Sequence, residues 1–127
     1  MTATFTQLAD AKYILLTSFR KSGEGVATAV WAAPDGDRLL VWTPTDSWKV
    51  KRIRNNPRVE VAVCDVRGRP KGDSVFGTAE ILDPQGTERA RAAIAKKYGF
   101  LGWIGVKASI VRRGRKGTIG IAISVPE

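Results

Sequence analysis

The sequence has no histidine. That removes the side chain most often used as a general base near neutral pH and as a metal ligand. It has one cysteine, Cys64, so no internal disulfide can form. A single thiol suits a reducing cytosol, and without histidine it makes a poor Cys–His nucleophile. No apolar run approaches the roughly 20 residues a helix needs to cross a bilayer. The longest candidate, FLGWIGV at 100–106, is followed by Lys107. The opening MTATFTQLADAK lacks a basic start and an apolar stretch, so we expect no secretory signal and a cytoplasmic protein. Acid is scarce too: 12 Asp and Glu stand against 21 Lys and Arg, for a net charge of +9. Such a surface attracts an anion, whether nucleic acid, a membrane face or an anionic cofactor. If the protein is an enzyme, a bound cofactor is expected to supply the chemistry.

What remains is ordinary globular material: 43% hydrophobic and 26% charged residues over 127 positions, enough for one domain spanning 1–127. TQLADAK reads as a short helix and YILLTSF (13–19) as a strand. KSGEG is a turn, and VATAVWAA (26–33) is the hairpin partner of 13–19. PDGD turns the chain into a third strand, RLLVWT (38–43). VEVAVCD (59–65) alternates, with Val59, Val61 and Val63 on one face. VRGRPKGD (66–73) reads as a loop, and SVFGTAEILD (74–83) as a strand with Gly77 as a bulge. Asp83-Pro84 opens a helix that stops at Gly99, and 100–114 favours a second helical piece. TIGIAISV (118–125) closes as a strand. Ile119, Ile121, Ile123 and Val125 share one face, and Gly120, Ala122 and Ser124 share another against which something packs closely. The pattern is a mainly β chain of about six mostly antiparallel strands with covering helices, a small barrel or sandwich.

One stretch breaks an electrostatic rule. TPTDSWKVKRIRNNPR (43–58) has the hydroxyls and carboxylate of a helix mouth, then Lys49, Lys51, Arg52 and Arg54 with nothing acidic. A helix N-terminus already carries about half a positive charge and prefers acidic neighbours. A phosphate in front of the helix would resolve the conflict, taking the free N–H groups, Lys49, and the hydroxyls of Thr43 and Ser47. A solvated basic face is the other reading of the same residues. The helix should end near Asn55–Asn56, ahead of Pro57.

The segment TAVWAA…DGDRLLVWTPTDSWKVKRIRNNPRVEVAVCDVRGR resembles the split β-barrel flavoprotein family of pyridoxamine-phosphate oxidase. More narrowly it resembles the branch that uses the deazaflavin coenzyme F420. The similarity rests on Thr28-Ala29-Val30-Trp31, on Thr43, on Lys49-Val50-Lys51-Arg52, and on Ser47-Trp48-Lys49 with Asn56-Pro57-Arg58. Trp48 stands where the oxidase has a basic residue, and Ala29 where the deazaflavin branch has proline. The resemblance implies a split β-barrel homodimer with its cofactor in a groove at the interface. It implies hydride transfer between F420 and an unsaturated organic acceptor, with FMN or FAD as the alternative cofactor. Lys49 would hold the cofactor phosphate, with Ser47 and Thr43 beside it and Trp48 next to it. Thr28, Ala29, Val30 and Trp31 would lie along the ring. Lys51, Arg54 and Arg58, or Arg67, Arg69 and Lys71, would line the path of an anionic tail.

Outside that frame, a non-catalytic carrier and a basic nucleic-acid-binding barrel are the competing classes. RRGRKG (112–117) has no aromatic within it for base stacking, and neither a helix-turn-helix nor a zinc spacing accompanies it, so it reads as a solvated turn. Cys64 reads as a small buried apolar residue, Trp31 and Trp42 as core, Trp103 and Phe100 as core or dimer contacts, and Tyr98 as a cap on the helix end.

Overall fold

A computed structural model describes residues 4–114 and 117–126. The chain opens with α1 (Phe5–Asp10), held by a capping box in which Thr4 and Gln7 exchange side-chain and backbone hydrogen bonds. β1 (Tyr13–Phe19) and β2 (Gly25–Val30) form the expected hairpin. β3 (Ala32–Asp35) and β4 (Arg38–Pro44) form a second. The sequence suggests one strand over 26–33. The structure breaks it at Trp31, where the chain leaves β1 as partner and takes up β4. That break makes seven strands where about six were expected.

α2 (Trp48–Asn55) follows, then β5 (Arg58–Cys64), β6 (Pro70–Ile81), α3 (Pro84–Arg113) and β7 (Thr118–Ser124). The strands form one antiparallel sheet in the order β2-β1-β5-β6-β7-β4-β3. Two expectations for β6 fail. It begins at Pro70, inside the stretch read as a loop. The irregularity lies between Ala62 and Cys64 of β5, whereas Gly77 pairs regularly with Val59. Gly77 serves a different purpose. β6 pairs with β5 up to Thr78 and with β7 from Thr78 on, and a Cβ on Gly77 would sit 2.6 Å from the Ser124 carbonyl oxygen. Glycine lets two strands cross closely where the sheet turns a corner.

The curled sheet encloses one core. Ile14, Leu16, Leu39, Val41, Val59, Val61, Ile121 and Ile123 are buried there, plugged by Leu8 of α1 and by Val50 and Ile53 of α2. Alternation explains the choice, since successive strand residues point to opposite faces. The small face of β7 lies outside the core, and its neighbour is α3 of the same chain. A Cβ on Gly120 would meet the Ala90 Cβ at 2.9 Å and the Thr87 Cα at 3.2 Å. α3 carries the expected stop at Gly99, whose φ of 62° and ψ of −136° interrupt the helix before a second limb continues to Arg113. Of the run read as a solvated turn at 112–117, Arg115 and Lys116 lie outside the described residues.

Candidate functional site

One groove has a volume of about 700 Å³, within the range of small-molecule sites. Three elements build it. The end of β1 gives Phe19, Arg20 and Lys21; β2 gives Val26 and Thr28; α2 gives Trp48, Lys49, Lys51, Arg52 and Asn55. α2 forms because Ser47 caps it, its Oγ accepting from the Val50 N–H at 3.4 Å, and because Val50 and Ile53 anchor its inner side. Helical spacing then sets Lys49 and Arg52 on one side, facing the groove.

The groove lining holds five cations and no carboxylate. Lys49 is half-buried, and its Nζ donates to Thr43 Oγ1 at 3.2 Å. Burial first, and then the neighbouring Arg52, push the Lys49 ammonium below the usual lysine range. Arg52 donates from Nε to the buried Ser18 Oγ at 2.7 Å. Its own pKa is lowered by burial and then by Arg20. The ion pair beside the groove, between Arg20 and Glu24 at 3.0 Å, is exposed on both sides. The Thr28 hydroxyl is buried without a hydrogen-bond partner among the described residues. Trp48 is 69% exposed, and the Lys51 ammonium sits 4.4 Å above its ring. The site therefore offers concentrated positive charge, an unsatisfied hydroxyl and a flat indole to one occupant.

The sequence-derived residues divide over this geometry. Thr28, Trp48, Lys49 and Lys51 line the groove. Thr43 is buried behind Lys49, and the Ser47 hydroxyl is engaged as the helix cap. Arg54 is exposed and lies off the groove lining. The strand Thr28-Ala29-Val30-Trp31 presents alternate faces. Thr28 and Val30 stand opposite Leu16 and Ile14 on the core side, while Ala29 stands opposite Leu15 on the outer side. Trp31 lies under α3, stacked on Tyr98 with ring centroids 4.4 Å apart. Tyr98 is more than a helix cap. Its hydroxyl donates to the Lys12 carbonyl at 2.8 Å and accepts from the Ala32 N–H at 3.1 Å, tying the break between β2 and β3 to α3. The 66–69 turn, with Asp65 Oδ1 accepting from the Arg67 and Arg69 amides, rests by Gly68 on Leu15 and Ala29, on the face of the hairpin away from the groove.

Arg52, Arg20, Lys21, Phe19, Val26 and Asn55 are groove residues outside the set chosen from sequence. For Arg52 the signal was present, because three positions after Lys49 is the same helical face. For Arg20 and Lys21 a basic pair directly after a strand was the only trace.

A small curled sheet thus carries a cationic groove between a hairpin and a short helix. The chain belongs to the pyridoxamine 5'-phosphate oxidase family, whose model matches residues 2–122. Its fold is the split β-barrel of that family, mainly β with covering helices. No curated protein matches it in sequence. Among solved structures it is similar to a conserved hypothetical protein from Mycobacterium tuberculosis, with TM-score 0.73, 20% identity, and 97% of this chain and 78% of that one covered. It is similar to an F420 reductase, with TM-score 0.62, 20% identity, and coverage of 100% and 97%. It is also similar to a FAD-binding protein from Mesorhizobium loti, with TM-score 0.64, 17% identity, and coverage of 94% and 83%. Among the described residues no helix is long and apolar enough to cross a membrane, and no cluster of His, Cys, Asp and Glu could hold a metal ion.

Proposed function

We propose that the protein is an F420-dependent oxidoreductase that passes hydride between the deazaflavin coenzyme and an unsaturated organic acceptor. The observation that carries this reading is the groove charge: five lining cations, two of them with pKa values lowered by burial, and no lining carboxylate. A long anion, with a phosphodiester and a carboxylate tail, suits that lining better than the single phosphate of FMN. When bound, the deazaflavin supplies the hydride chemistry that no side chain of this groove provides. Lys49 would hold an anionic oxygen, supported by the first-turn amides of Trp48 and Lys49, which have no carbonyl partner within α2. Arg52, fixed by Ser18, keeps a second positive charge at set position. Thr28 would give its idle hydroxyl to a polar edge of the ligand. Trp48 and Phe19 would cover apolar surface and exclude water. We read the working form as a cytoplasmic homodimer whose second subunit closes the groove over the exposed Trp48.

The test is a parallel fluorescence titration with oxidised F420, FMN and FAD at low and high salt, followed by turnover of enone and quinone acceptors with reduced F420. Preferential, salt-sensitive binding of F420 with turnover is expected. Preference for FMN or FAD would move the same groove to flavin chemistry. Binding without turnover would make the protein a carrier. Failure to bind any of the three would overturn the assignment.

A further inference from the structure

The second limb of α3 is apolar on both sides. Val106 and Ile110 face inward, in the cluster of Ala33, Ile94 and Trp31. Gly102 lets this limb fold closely against the first, since a Cβ there would meet the Tyr98 Cβ and the Ile94 carbonyl oxygen at 2.8 Å. Other large apolar side chains point outward: Phe100 is 74% exposed, Leu101 68%, Trp103 53% and Val111 88%, with Ile104 beside them. A surface helix normally confines its apolar residues to the inward stripe. Contiguous exposed apolar residues on this scale mark an interaction surface.

The charge of this part of the chain is equally one-sided. Residues 1–88 carry 12 cations and 11 carboxylates, close to neutral. Residues 89–126 carry nine cations and no carboxylate, so the whole excess of the chain lies there. Arg89 and Arg91 are engaged, with Asp35 and with Glu88 and Thr118, and Lys97 donates to the Ala11 and Ala32 carbonyls. Lys96, Lys107 and Arg112 remain exposed, the last two on the same limb as the apolar cluster.

We infer that this limb docks on an anionic lipid surface, lying in the plane of the interface. Trp103, Phe100 and Leu101 would enter the headgroup boundary while Lys107 and Arg112 meet lipid phosphates. Aromatic and leucine anchors combined with cations are the composition such helices use. A second copy of the chain fits this face less well. A two-fold contact sets each patch against itself, and residues 89–126 would bring Lys107 and Arg112 together with no carboxylate between them. A bilayer offers both the apolar depth and the opposite charge. The inference is independent of the groove and its ligand.

The experiment is flotation of the whole protein with phosphatidylcholine vesicles, with and without phosphatidylglycerol, at low salt. The intact chain is expected to float only with the anionic vesicles. Leu101→Ser with Trp103→Ser should lower the partition at least about tenfold, because the interfacial anchors are gone. Lys107→Glu with Arg112→Glu should lower it at least as much, each lost cation being worth about fivefold. These positions are exposed, and far-UV circular dichroism checks that both variants fold. Lys49→Met should float like the parent. The inference fails if the parent ignores anionic vesicles, or if the Leu101/Trp103 variant floats equally well. It fails if Lys49→Met alone abolishes flotation, which would put the lipid in the groove. It also fails if the parent is a dimer that ignores vesicles and that the Leu101/Trp103 variant breaks.

Discussion

Lys49→Met separates ligand binding from folding. Methionine keeps most of the stem and its packing while removing the charge. In the free protein the ammonium is already in an unfavourable place, pushed toward its neutral form by burial and by Arg52. Removing it relieves that repulsion but leaves the buried Thr43 hydroxyl without its donor. The two effects oppose each other. Half-exposure of the lysine weakens the electrostatic part, so net stability should move by no more than about 1 kcal/mol. For a chain of this size that is a few degrees of Tm, about 2–6 °C. Binding behaves differently. A charge-assisted hydrogen bond to an anionic oxygen is worth about 1.5–3 kcal/mol, so Kd should rise roughly 10- to 150-fold. A fluorescence titration with oxidised F420 reads the affinity, and a thermal melt of the free protein reads the stability. The salt dependence should also weaken, since one contact fewer is screened. In the parent protein the affinity should begin to fall on the alkaline side before an ordinary lysine would titrate. The free groove holds the Lys49 proton less tightly than water does, and the anion must restore it. A Kd within about threefold of the parent, with Tm unchanged, would refute the role assigned to Lys49.

Other changes test the fold and its charges. Gly120→Ala places a Cβ 2.9 Å from Ala90 and 3.1 Å from Leu82 at the seam of β7 and α3, and overpacking there should cost about 1–3 kcal/mol in urea denaturation. Cys64 is buried, and burial first, then Asp65, raise its thiol pKa. The native protein should therefore react with a disulfide reagent far more slowly than the urea-unfolded chain, and equal rates would contradict the burial. Asp35 receives two hydrogen bonds from Arg89, at 2.7 and 2.9 Å, which hold its carboxyl below the ordinary 3.8. Its stabilising contribution is present above that unfolded value and is lost as pH falls through the lower folded one. Asp35→Asn should lower stability modestly at neutral pH and leave it nearly unchanged below the folded pKa, so that the acid limb of the stability curve flattens.

Much of the architecture was legible because it is local. Alternation in 59–65 and 118–125, and short apolar runs in 13–19 and 38–43, mark strands locally, and the turns between them use glycine, proline and aspartate where the backbone needs them. Ser47 before a cationic helix, Asp83-Pro84 at the head of α3 and Gly99 at its break are decisions of single residues. The reason to suspect an anion site was also local: a helix mouth followed by four cations with nothing acidic among them. That stretch pointed to Lys49, and the resemblance pointed to Thr28 as well; both line the groove.

What failed to show was whatever depends on a partner distant in the chain. Nothing in VATAVWAA marks Trp31 as a break. The break exists because β1 and β4 lie at different places around the sheet and claim the two halves separately. That change of partner, with the alternation of β2, puts Thr28 in the groove and turns Ala29 outward. The 70–73 stretch reads as a loop until β5 offers it a partner. The small face of β7 could have met a second subunit, but α3 of the same chain covers it. The sequence by itself determined the elements, the core pattern and the excess of charge, since these follow from the side chains and their spacing. Only the tertiary structure decided which cations converge, because Arg20, Lys49 and Arg52 repel one another in any local setting. They share a groove only because the packing of Val50, Ile53 and the sheet holds them there.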